Sequence, residues 1–84
     1  MKPIKFDGVN VVFGANQPEY TPLPAQVLPG DYGQTITCWE LNPEELEQVK
    51  KNGKIWLSVL TFGQPLQPVL LTDEKPGKYD NFDD

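Results

Sequence analysis

The spacing of apolar residues along the chain changes twice between Cys38 and Pro68, in CWELNPEELEQVKKNGKIWLSVLTFGQPLQP. Gln34–Trp39 alternates, with Ile36 and Cys38 on one side and Thr35, Thr37 and Trp39 on the other, which is the period of a strand. Over Pro43–Asn52 only Leu46 and Val49 are apolar, a narrow stripe that suits a short helix lying against one face of a sheet with its charged side in water. Lys54–Phe62 is apolar at both parities, Ile55, Leu57 and Val59 against Trp56, Leu60 and Phe62. That pattern predicts a strand covered on both faces, the central one of the sheet. Gly63-Gln64-Pro65 makes a turn, after which Leu66–Thr72 can return as a strand that Pro68 restricts to an edge or to a start beyond the proline.

The helix carries a full set of end signals. Asn42 is a good N-cap, Pro43 falls at the first helical position where its missing N–H costs nothing, and Glu45 completes a capping box. Leu41 and Leu46 are spaced for a hydrophobic staple. Glu44, Glu45 and Glu47 near the start, and Lys50 and Lys51 before Gly53, place each sign of charge at the end the helix dipole favours.

In the first half, Ile4, Phe6, Val9, Val11 and Phe13 flank Asp7-Gly8, a dipeptide typical of tight hairpin turns. A hairpin of Lys2–Phe6 with Val9–Phe13 is expected, the alternative being one bent strand bulged at Gly8. Ala15–Gly33 contains Pro18, Pro22, Pro24, Pro29 and Gly30, which exclude both a central strand and a helix and predict extended, polyproline-like backbone. The same stretch holds Tyr20, Leu23, Val27, Leu28 and Tyr32, so it is either a strap across the core or a binding loop.

These elements describe a single α+β domain over residues 1–72: a small, mostly antiparallel sheet, one capped helix packed on one face, and a long proline-rich loop. Residues 73–84, DEKPGKYDNFDD, are acidic and short of aliphatic side chains, as in a disordered tail. Eighty-four residues leave room for only one modest core.

Charge narrows the partners. Seven lysines against twelve acidic residues give a net charge of −5, a field that disfavours nucleic acid and anionic membranes. No apolar run approaches the roughly 18 residues of a membrane span, and Met1-Lys2-Pro3 does not open a secretory signal, so a cytoplasmic setting is expected.

Catalytic chemistry is poorly supplied. One cysteine and no histidine argue against zinc or iron sites, and no cofactor or metal is expected. Asp80, Asp83 and Asp84 lack the glycine turn and closing glutamate of a calcium loop. Cys38, beside bulky Trp39, suits a buried structural thiol, and Glu44 and Glu45 serve the helix start rather than pairing with Glu19 or Glu40 as a hydrolytic dyad. Aromatic groups with polar handles remain. Trp56 fits the core, Trp39 fits core or surface, and Gln17-Pro18-Glu19-Tyr20 presents an acidic and an aromatic group on stiffened backbone. Gln17, Glu19, Tyr20 and Trp39 are therefore the candidate contact residues for a partner.

KPIKF with NVVFGANQPEYTPLPA, ITCWELNPEELEQV, and GKIWLSVLTFGQPLQPVLLT resemble a group of short proteins encoded by tailed phages and prophages. The resemblance covers Lys2–Thr72 and rests most on QPEY with PLPA, on CW before the helix, and on GKIWLS with TFGQPLQP. It implies a setting in the bacterial host cell and no particular reaction. Together with the missing catalytic groups it points to a non-enzymatic binding protein that inhibits or modulates a host protein. The alternatives are an oligomer that sequesters a nucleotide signal and a minor virion or assembly component. Absence of arginine weighs against phosphate recognition.

Overall fold

The computed structural model describes residues 1–31 and 33–77. Among them run β1 (Lys2–Ile4), β2 (Val11–Phe13), β3 (Leu23–Leu28), β4 (Gln34–Ile36), β5 (Cys38–Glu40) and α1 (Pro43–Asn52). The class is α+β, with antiparallel pairing throughout and one capped helix. The strands form two sheets, a β1-β5 pair and a three-stranded β2-β3-β4 sheet.

The expected N-terminal hairpin does not form. β1 lies against β5, Lys2 opposite Glu40 and Ile4 opposite Cys38, whereas β2 lies against β3, Val11 opposite Ala25 and Phe13 opposite Leu23. Asp7-Gly8 is a turn, closed by the Val9 N–H donating to the Phe6 carbonyl at 3.2 Å, but only Gly8, at φ 108°, has positive φ. A two-residue hairpin turn whose twist matches its strands needs positive φ at both central positions or at the first, and here only the second, Gly8, has it. This turn instead passes the chain from one sheet to the other.

The proline-rich stretch contains the longest strand, β3, which occupies the middle of its sheet despite Pro24. β2 covers β3 over Leu23–Ala25, while β4 covers it over Gln26–Leu28. At Pro24 the strand therefore has a paired neighbour on one side only, the condition under which a residue without an N–H is tolerated. The single strand expected over Gln34–Trp39 is interrupted at Thr37, with β4 joining one sheet and β5 the other.

The core is thin. Ala25 (0% exposed) and Ile36 (6%) are its buried aliphatic residues, with Pro24 beside them. The helix forms as its sequence dictates: the Glu45 N–H donates to Asn42 Oδ1 at 2.8 Å, and the Asn42 N–H donates to Glu45 Oε1 at 2.9 Å. At the other end Gly53, at φ 62° and ψ 30°, donates to the Val49 carbonyl at 2.7 Å. No helical residue is buried, and Leu46 remains 45% exposed. An ion pair between the Met1 amino group and Glu45 ties the helix start to the chain's first strand.

Lys54–Phe62 is not a central strand. Its backbone has no strand assignment, Ile55–Leu60 make no hydrogen bond among the described residues, and Trp56 is 88% exposed rather than in the core. The central place in the larger sheet is held by β3, and the remaining sheet is a single pair. Leu66–Thr72 is likewise without strand structure. The chain then returns to its first turn: Lys75 Nζ donates to the Asp7 carbonyl at 3.0 Å and sits 5.6 Å from the centre of the Phe6 ring. Residues 78–84, most of the stretch with a disorder-prone composition, lie outside the described residues, as does Tyr32.

Candidate functional site

The loop between β2 and β3 holds three of the four candidate contact residues. Its course is set by two successive turns, the Gln17 N–H donating to the Gly14 carbonyl at 3.1 Å and the Tyr20 N–H to the Gln17 carbonyl at 3.0 Å. Gly14 opens the first turn at φ 74°, and a Cβ there would lie 3.5 Å from the Tyr20 Cβ. The base of Tyr20 thus rests against the chain at Gly14, while the residue as a whole is 61% exposed. Gln17 and Glu19 are exposed beside it. Pro18 and Pro22 limit the backbone freedom of the loop, so its side chains are displayed from a partly stiffened frame.

Trp39 lies in β5 opposite Pro3 and is 47% exposed; its indole N–H donates to Thr37 Oγ1 at 3.0 Å. It belongs to the two-stranded sheet, whereas the Tyr20 loop caps the three-stranded one. The candidates thus sit on two different elements, and no hydrogen bond among the described residues joins them.

Other chemistry is sparse. No group of three or more potential metal ligands occurs among the described residues. Cys38 is a half-buried free thiol opposite Ile4. Glu45 has its carboxyl held below the usual glutamate range, first by its hydrogen bond with the Met1 amino group and then by the Asn42 N–H. That perturbation belongs to a helix cap rather than to an acid–base pair. No helix among the described residues is long and apolar enough to cross a membrane.

Among the described residues, much of the exposed apolar surface belongs to the stretch whose pattern predicts an interior strand. Between Ile55 and Leu71 ten large apolar residues are exposed, Trp56, Leu60 and Phe62 most of all. An open groove of about 1120 Å³ lies at the root of this stretch, bordered by Met1, Glu45, Val49, Ile55 and Trp56. The signal was present in the sequence: apolar side chains at both parities, with no charge from Ile55 to Thr72.

No protein-family model, curated protein or solved structure matches this chain.

Proposed function

We propose that the protein is a non-enzymatic binding protein of phage origin that occupies a surface of a host protein in the bacterial cytoplasm and so inhibits or modulates it. The observation that carries this reading is the display of Gln17, Glu19 and Tyr20 on the turn-braced loop between β2 and β3. Tyrosine offers a large contact area with only two rotatable side-chain bonds, and a loop already restricted by proline loses little entropy when it docks. Glu19 and a net charge of −5 favour a partner surface that carries basic groups. Trp39 offers a second contact on the other sheet.

Affinity purification of the tagged protein from expressing bacteria, with mass spectrometry of the proteins and small molecules retained, tests the reading. A host protein held in stoichiometric amount supports it. Retention of a nucleotide without any protein, or of phage structural proteins only, replaces it with sequestration or assembly respectively.

A further inference from the structure

We infer that Lys54–Thr72 is an exchange arm, covered by a second copy of this chain, so that the protein is a homo-oligomer whose copies complete one another's cores. This inference does not rest on the host-partner reading, because it concerns the pure protein alone.

The arm is anchored at both ends and free between them. It leaves the helix at Gly53, whose N–H is fixed to the Val49 carbonyl, and its far end is followed by Lys75, held on Asp7 and Phe6. Between these points a turn is already made. Phe62 and Gly63 both have positive φ, 53° and 81°, and the Gln64 N–H donates to the Thr61 carbonyl at 2.9 Å. Positive φ at both central residues is the signature of the tight turn that joins paired strands. Here the limbs on either side, Lys54–Thr61 and Gln64–Thr72, are unpaired. Extended, the first limb reaches up to ~26 Å from its root, at roughly 3.3 Å per residue.

Area supports the same conclusion. The accessible surface is 7404 Å², against the roughly 5,000 Å² that scaling gives for a folded 9.5 kDa monomer. Granting residues 78–84 the whole surface of an extended chain, roughly 1,300 Å², still leaves an excess of about 1,400 Å² over the rest. Obligate interfaces bury about 1,000–2,500 Å² per partner, so the excess is what such an assembly covers.

A second copy is the occupant the residues favour. Each chain presents both the apolar arm and uncovered apolar residues elsewhere, Phe13, Val27 and Leu46 among them, so donor and acceptor surfaces arise together. Past Lys54 the arm has no charge, and hence no like-charge repulsion between copies although the chain as a whole carries −5. Ile55–Phe62 also lacks the lysine, glutamate or proline that blunts an exposed β-prone segment against pairing with its own kind. Closed, reciprocal exchange is the outcome that hides such a segment without open-ended growth.

The test is made on the full chain without any partner. Light scattering and native mass spectrometry over a dilution series should give a defined multiple of 9.5 kDa. A refolded mixture of ¹³C-labelled and ¹⁵N-labelled copies should show contacts between Ile55–Leu60 amides of one copy and methyl groups of another. Leu60→Asp should shift the mass toward that of one chain. A single-chain mass at every concentration overturns the inference, as does an oligomer whose Ile55–Leu60 amides contact only their own chain. Because both wild-type measurements decide alone, a failure of Leu60→Asp to fold does not blunt the test.

Discussion

The side chain of Asn10 serves as a backbone partner for Val27. Its Oδ1 accepts from the Val27 N–H at 2.8 Å, and its Nδ2 donates to the Val27 carbonyl at 3.0 Å. β2 begins only at Val11, opposite Ala25, so the ladder between β2 and β3 would otherwise stop short of Val27. One amide side chain extends it and keeps the C-terminal half of β3 bonded on both sides, with β4 holding the other.

Asn10→Ala should therefore destabilise the protein by about 1–3 kcal/mol, the range for leaving two backbone groups without their partner. Asn10→Asp should cost at least as much, since a carboxylate cannot donate to the Val27 carbonyl. Urea melts measure both. A loss under ~0.5 kcal/mol in the alanine variant, within the range of an ordinary surface substitution, would mean that water replaces the asparagine without cost.

The helix depends on its caps, because none of its residues is buried and a ten-residue helix is marginal by itself. Asn42→Ala should remove about 1 kcal/mol, and Gly53→Val more, since Gly53 sits in the left-handed region at φ 62°. Far-UV circular dichroism with urea melts reads both effects. Neutral behaviour of both variants would show that packing absent from the single chain holds the helix.

Glu45 supplies a pH dependence. Its carboxyl is held below the usual glutamate range by the Met1 amino group and the Asn42 N–H. A group with a depressed folded-state value contributes stability that is present above its unfolded value and is lost as pH falls through the folded one. Helix content should thus decline on the acid side of the ordinary glutamate range. Glu45→Gln, which can still accept from the Asn42 N–H but bears no charge, should flatten that decline. An unchanged acid profile in Glu45→Gln would assign the titration to other carboxylates.

What the sequence made legible follows the range of the interactions involved. Asn42, Pro43, Glu45 and Gly53 act within one turn of each other, and the helix lies over the residues they delimit. Pairing of β1 with β5 joins residues more than thirty positions apart, and nothing local to Asp7-Gly8 distinguishes a hairpin from a turn between sheets until the φ of Asp7 is known. Pro24 argued against a strand by its missing N–H, and only the offset between β2 and β4 removes that objection. Lys54–Phe62 announced a need for cover on both faces. Which chain provides the cover is not written in the period of two. For the candidate site, exposure of Gln17, Glu19 and Tyr20 followed from their polar, proline-bounded setting, whereas the separation of Trp39 on another sheet followed from the break at Thr37.

The loop and β5 can be told apart by function. Tyr20 is 61% exposed, so Tyr20→Ala should leave the urea midpoint almost unchanged. As an aromatic anchor on a braced loop it should nevertheless carry a large share of partner binding, a loss of about 2 kcal/mol or more, roughly 30-fold in Kd. Trp39→Ala removes a half-exposed ring and its bond to Thr37, and should lower stability as well as any binding it supports. Measuring partner retention alongside melting behaviour for both variants separates the cases. If Tyr20→Ala unfolds the domain, the loop braces the core and is not the contact. If it alters neither stability nor retention, recognition lies off this loop, and a binding loss in Trp39→Ala that exceeds its loss of stability would move the site to β5.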